Sequence, residues 1–382
     1  MLRALGRCSV RFPGSPAPNM ATSHSTSHSR GRTSSLSAFL LFLTFLTTPI
    51  LAFYKGVDWS SAIVEESSGR IYKTAAGVVK PLESIFAESA VNIVRQRVWV
   101  NPSDGNYNLA YNLKLARRAK SAGLDVYIDL FYSDTWADGD HQPTPAGWPS
   151  DIDNLSWKVY NYTLDVCNAL AAAGISPKII SIGNEIRHGL LWPAGTVDHW
   201  GNIARLLHSA SSGVRYSALG NGPKIMVHTD NGWDWPAQKS FFTNLLAQGS
   251  FTAADFDMIG LSYYPFYGPS ATLANLKTSL TNLATTWHKS LAVVEINWPT
   301  SCPSPKYPFP RDLANIPISV EGQVTFVKTV ANIVKGVAGG VGVFYWEPAW
   351  VDNSALGSSC PYNTMFAWPG TALASLDVFK SL

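Results

Sequence analysis

Lys178-Ile-Ile-Ser-Ile-Gly-Asn-Glu185 is a short apolar run that stops on a carboxylate. A second run, Leu291-Ala-Val-Val-Glu295, has the same form. Such runs, bounded by Gly, Asn and Pro, read as strands of a parallel sheet covered on both faces. A carboxylate at the end of a buried strand costs free energy unless it has a partner or a task.

Six more runs have the same character. The predicted strands are 54–59, 93–100, 125–130, 178–183, 224–229, 258–263, 291–296 and 342–346. Amphipathic helical patterns lie between them, among them 111–122, 159–172 and 320–335. Strands that alternate with helices imply parallel pairing. Eight such units imply an α/β fold, a closed (β/α)8 TIM barrel forming a single domain over 53–382. A doubly wound open sheet is the alternative, but no Gly-x-Gly-x-x-Gly follows the first strand. Polar residues gather where each strand enters its next loop, as at Asp58, Arg97, Asp129, Glu185, His228, Tyr263, Glu295 and Glu347. In a barrel that face carries the active site. Glu185 then ends strand four and Glu295 strand seven.

The chain has 382 residues, 46% of them apolar and 14% charged, which excludes a disordered chain. Residues 1–35 are rich in Ser and Arg and lack acids; an uncharged apolar stretch follows to Ala52. This reads as a leader and signal peptide over 1–52 that is removed, with Met20 an alternative start. The apolar run is short for a membrane span, so no stable membrane association is expected. The segment holds five of the 29 basic residues and none of the 26 acids, so 53–382 carries 24 against 26, a net of −2. No basic surface for nucleic acid is left.

A secreted location frames the cysteines. Cys302 and Cys360 follow strand ends in Pro/Ser/Gly-rich loops and form the expected disulfide. Cys167, on a helical apolar face with Val159, Val166 and Leu170, reads as a buried free thiol. Asn154-Leu-Ser and Asn161-Tyr-Thr are glycosylation sequons.

Two carboxyl groups on neighbouring strand ends suit glycoside hydrolysis. One donates a proton to the leaving oxygen; the other attacks the anomeric carbon or activates water. Asn184 is placed to bind a sugar 2-hydroxyl, and Arg97 to keep Glu295 ionised. Trp136, Trp298, Trp346 and Trp350 are candidates for sugar stacking, each with core packing as the alternative. Tyr263 and Tyr264 are candidates to orient the nucleophile or bind hydroxyls, with Tyr263 taken as the binding residue. His228 and Asp134 complete the candidate substrate set, although Asp134 has bridging of loops as its alternative. Glu347 is the rival carboxylate for either role. No His-Glu-x-x-His, EF-hand loop or Gly-x-Ser-x-Gly elbow is present, so no metal, cofactor or serine nucleophile is expected.

Gly56-Val-Asp-Trp-Ser60, Arg95-Gln-Arg-Val-Trp-Val-Asn-Pro102, Ser133-Asp-Thr-Trp-Ala-Asp138, Ser181-Ile-Gly-Asn-Glu-Ile-Arg187 and Gly189-Leu-Leu-Trp-Pro193 resemble the fungal endo-β-1,4-galactanases of glycoside hydrolase family 53. So do Ser262-Tyr-Tyr-Pro-Phe-Tyr267, Val294-Glu-Ile-Asn-Trp-Pro299 and Tyr345-Trp-Glu-Pro-Ala-Trp350. The resemblance runs through 53–382 in order. It implies a retaining enzyme acting on the β-1,4-galactan of type I arabinogalactan, with Glu185 as acid/base and Glu295 as nucleophile. It further implies that the Cys302–Cys360 bridge ties the seventh and eighth loops, in place of the calcium that bacterial relatives bind in the eighth. Phe131 stands where the family usually has a His, which points to an altered pH profile or weaker substrate hold. Barrel and carboxylates alone do not separate galactan from mannan, xylan or glucan. They also leave open a binding protein without catalysis. Monomer is the default for a secreted depolymerase.

Overall fold

The computed structural model describes residues 53–382; the expected leader, 1–52, lies outside the described residues. Eight parallel strands form a closed barrel in sequence order. They are β1 (Tyr54–Asp58), β2 (Ile93–Val98), β3 (Asp125–Leu130), β4 (Ile179–Ile182), β5 (Lys224–Thr229), β6 (Met258–Tyr263), β7 (Ser290–Ile296) and β8 (Gly340–Tyr345). Each overlaps the strand expected from the sequence, because buried parallel strands carry a continuous apolar signal. Helices α1 (Ala62–Ser67) and α2 (Leu82–Glu88) follow β1. Then α3 (Leu109–Ser121), α4 (Ile152–Ala172), α5 (Trp200–Arg215), α6 (Trp235–Leu246), α7 (Leu273–Trp287) and α8 (Val320–Lys335) alternate with the remaining strands. A 3₁₀ segment, Ala374–Ser381, closes the outer ring after β8. Among the described residues no helix is long and apolar enough to cross a membrane.

Local chemistry starts the helices where the loops need them to start. Asn108, Asp151, Asp234, Thr272 and Ser319 each accept a backbone N–H from the first turn of α3, α4, α6, α7 and α8. Each such cap contributes about 1 kcal/mol.

Alternation along the strands makes two cores. Outward side chains such as Val94, Ile128, Ile180, Val227 and Leu261 pack under the helices. Inward ones, Ile93, Tyr127, Ile179, Met226, Met258, Ala292, Val294 and Phe344, plug the barrel below the site. Two glycines make this plug possible. A Cβ on Gly56 would lie 2.0 Å from the Phe344 ring, and one on Gly260 would lie 2.4 Å from Met226 Sδ. The barrel floor is therefore solid, and the barrel interior opens toward the carboxyl ends of the strands.

One irregularity positions the site. The pairing of β6 with β7 runs Leu261 to Val293 and then Ser262 to Glu295, so β7 carries an extra residue there. Strict alternation after inward-facing Val294 would send Glu295 into the helical layer. The bulge returns it to the interior.

Candidate active site

A cleft of about 840 Å³ opens at the carboxyl ends of the strands, with Glu185 and Glu295 both in its lining. Glu185 sits just past β4 in a left-handed conformation, φ 52° and ψ 46°. A non-glycine residue held there stores backbone strain of about 1–3 kcal/mol. Gly183, at φ 115°, provides the turn that leads into it. Gln142 fastens the strand end by donating to the Asn184 carbonyl at 2.8 Å and the Asp138 carbonyl at 2.9 Å.

Glu295 is 5% exposed and both of its oxygens are occupied. Arg95 approaches one at 2.7 Å and the Tyr264 hydroxyl donates to the other at 2.7 Å. Arg95 itself is fully buried. It also donates to Asp58 at 2.9 Å, to Asn184 Oδ1 at 2.8 Å and to Asp129. Burial pushes the Asp129 carboxyl up to about 7 against the pull of Arg95, and the nearby Glu295 charge adds to the rise.

The two glutamates differ in what opposes their burial. Burial drives Glu185 well above the ordinary carboxylate range, and the charges of Glu295, Asp230 and Asp138 drive it further. The nearby Ser262 hydroxyl works the other way. Burial also raises Glu295, but Arg95 and the Tyr264 hydroxyl counter it. The proton of the pair therefore resides on Glu185 and the negative charge on Glu295. Oxygens of the two carboxylates and a ring nitrogen of His228 lie within 4.8 Å of one another. This trio is the one described cluster with metal-ligand spacing. The Arg95 cation already balances Glu295, and His228 Nε2 is engaged with Ser262 Oγ at 2.9 Å, so the chemistry on offer is proton transfer and nucleophilic attack.

Four tryptophans line the cleft, Trp136, Trp233, Trp346 and Trp350. Trp136 stacks on Trp350 with centroids 6.1 Å apart and planes 19° apart, and Trp346 meets both edge-on. The Arg97 guanidinium lies against Trp136 at 4.7 Å and Trp350 at 5.2 Å. Phe131 also lines the cleft, 6.4 Å from the Trp136 ring.

Several sequence expectations need correction. Arg97 does not hold Glu295; it pairs with Glu347 and donates to Ser61 Oγ at 2.9 Å. Both arginines of β2 point inward, two residues apart, and the deeper one meets Glu295. Trp298 is 1% exposed, donates to the Pro317 carbonyl at 2.9 Å and stacks on Phe326, so it is core. Tyr263 shares the outward parity of Leu261; its hydroxyl donates to the Ala271 carbonyl at 2.8 Å under the helices. Tyr264, the next residue, turns back over the site. Asp134 bridges loops through the Asn101 and Ala146 amides, at 2.9 and 2.8 Å. His228 is fully buried beneath the cleft, and burial keeps its imidazole neutral. Glu347 is sealed by Arg97 and Ser61 and does not reach the cleft.

Asn184 lines the cleft with its amide held between Arg95 and the Ala137 carbonyl. Tyr264 takes the nucleophile-orienting role for which it was a candidate, whereas Arg95, Ser262 and Asp129 are contributors to which the sequence assigned no role at the site. The period-2 rule on β2 and β6 was the available signal for Arg95 and Ser262. Cys302 and Cys360 are bonded, joining the loops after β7 and β8. Lys306 and Tyr307, inside the loop so closed, line the cleft. Asn154 and Asn161 are both exposed on α4. Cys167 is a buried free thiol, pushed up to about 12 by that burial.

The sequence profile of glycosyl hydrolase family 53 matches residues 54–379. The arabinogalactan endo-β-1,4-galactanase of Thermothelomyces thermophilus is 63% identical over 329 residues, 86% of this chain and 99% of that one. The enzyme of the same name from Humicola insolens is 62% identical over 329 residues, with the same coverage. A solved structure, one of two fungal β-1,4-galactanases, superposes with a TM-score of 0.86 at 63% identity, covering 87% of this chain and 100% of that one. A strand-end carboxylate pair on a closed barrel, matched over essentially the whole barrel, places this chain in glycosyl hydrolase family 53.

Proposed function

We propose that the protein is a secreted endo-β-1,4-galactanase that hydrolyses the galactan of type I arabinogalactan with retention of configuration, using Glu185 as acid/base and Glu295 as nucleophile. The observation that carries the mechanism is the spacing. A Glu185 oxygen and a Glu295 oxygen within 4.8 Å of each other leave no room for a water between Glu295 and the anomeric carbon. Retaining enzymes hold their carboxyl groups about 5–5.5 Å apart, inverting ones about 6.5–9.5 Å.

In the first step Glu185 gives its proton to the glycosidic oxygen while a Glu295 oxygen attacks the anomeric carbon. The bond to the leaving sugar breaks and a glycosyl ester forms on Glu295. In the second step Glu185, now ionised, takes a proton from water, which attacks the same carbon and releases Glu295. Arg95 and Tyr264 hold Glu295 charged and oriented before the first step, and the Asn184 amide is placed to meet the sugar 2-hydroxyl. Trp136, Trp346 and Trp350 offer apolar faces to neighbouring galactose rings.

Secretion is supported by the acid-free leader with its apolar run over 1–52 and by the Cys302–Cys360 bond, which belongs to an oxidising compartment. The mature enzyme on this reading begins near residue 53. Linear β-1,4-galactan incubated with the protein should yield short galacto-oligosaccharides, first in the β-anomer by NMR, and neither Glu185→Gln nor Glu295→Gln should produce them. Release of sugars from mannan or xylan in preference to galactan would overturn the substrate assignment.

A further inference from the structure

A second cavity, of about 550 Å³, lies on the outer wall of the barrel, where α4 and α5 meet. Trp157 and Tyr216 stand at it 66% and 77% exposed, and Tyr160 meets the Trp157 ring edge-on at 5.7 Å. Large rings left in water at one place are informative where scattered ones are not. None of these three residues contributes to the cleft.

The charged side chains and the histidine of the groove already have partners. Arg205 pairs with Asp153 at 2.6 Å, and His208 with Asp255 at 2.8 Å. No unpaired charge is left in the lining to recruit an ionic ligand. Ser209 and Ser212 add hydroxyls beside the rings. Aromatic faces, neutral hydroxyls and balanced charge together suit an uncharged polyhydroxylated ring. β-Galactose in particular carries its 4-hydroxyl axially, so the hydrogens of C3, C4, C5 and C6 make one apolar face that an indole can cover.

We propose that this groove is an auxiliary binding site for β-1,4-galactan, distinct from the cleft, which holds the polymer on the enzyme between cleavages. The choice of ligand rests on the galactanase reading. A chain held here raises the effective concentration of its neighbours at the cleft without any new catalytic contact. The exposed sequon residues Asn154 and Asn161 share the α4 face of Trp157, three residues before and four after it, so the protein's own glycans are the competing occupant.

The test uses Glu295→Gln as the background, so that polymer persists, with native electrophoresis through gels containing galactan. Adding Trp157→Ala and Tyr216→Ala should reduce the retardation. In the active enzyme the same two substitutions should lower kcat/KM on long galactan by about three- to tenfold, the worth of one or two stacking contacts. Turnover of galactotetraose should stay unchanged, and unchanged far-UV dichroism should exclude misfolding. Equal retardation and equal polymer kinetics would overturn the proposal. So would retardation that responds to Trp157→Ala only after Asn154→Gln and Asn161→Gln, which would assign the groove to attached glycans. Failure of the parent enzyme to cleave galactotetraose would instead overturn the galactanase reading, and with it galactan as the ligand.

Discussion

The Arg95 guanidinium lies 2.7 Å from the Glu295 carboxylate, while Arg97, two residues further along β2, faces Glu347. One strand therefore supplies separate cations to two buried carboxylates, and only one of these reaches the cleft. The depth of each arginine along the barrel axis decides which carboxylate it serves.

Tyr264→Phe tests how Glu295 is kept ionised. On the proposed mechanism activity needs Glu295 ionised and Glu185 protonated, so the acid limb of kcat/KM should follow Glu295 and the basic limb Glu185. The Tyr264 hydrogen bond favours the charged form of Glu295. Its removal should raise the acid limb by about one pH unit and leave the basic limb nearly in place. An acid limb that stays put or moves down would refute this assignment.

Glu185→Ala separates acid from nucleophile. Galactan needs its leaving oxygen protonated, so kcat should fall by about 10²–10⁴. A dinitrophenyl galactobioside leaves unaided, so its first step should be nearly as fast as in the parent, with a glycosyl-enzyme accumulating. Equal losses on both substrates would remove Glu185 from the acid role.

Arg97→Met should destabilise by about 3–5 kcal/mol, because Glu347 is then left buried without a counter-ion. The Arg97→Met, Glu347→Met pair should recover most of that loss, and denaturant midpoints check both. Catalytic pH limbs should hold in the pair, since neither residue touches Glu295. A shifted acid limb would restore Arg97 to the nucleophile.

The Cys302–Cys360 bond closes a loop of sequence separation 58, so replacing both by Ser should cost about 4 kcal/mol. Lys306 and Tyr307 are in that loop and line the cleft, so KM should rise several-fold more than kcat falls. Unchanged KM with a lowered Tm would confine the bond to stability.

Phe131→His restores a hydrogen-bonding ring on the cleft wall beside Trp136. KM for galactan should fall several-fold, with the effect strongest where the imidazole is neutral. Unchanged kinetics would make Phe131 a packing residue alone.

The strand-and-helix alternation was legible along the chain because burial on both faces of a parallel strand, and on one face of a helix, leaves a periodic apolar record. The carboxylates of Glu185 and Glu295 were legible for the same reason, as charges where that record predicts none. Partners were less legible. The sequence placed polar groups at the carboxyl ends of strands but not at particular depths, so Arg97 stood in for Arg95 and Tyr263 for Tyr264. Trp298 and Trp136 look alike as letters beyond strand ends, yet one packs on Phe326 and the other walls the cleft. The inward turn of Glu295 depends on a bulge in β7 that follows Val294, and alternation alone would have pointed it at the helices. Local sequence determined the elements, their order and the chemical groups at their ends. Register, bulge and barrel closure decided which groups meet, because they join residues far apart in the chain and leave no periodic trace along it.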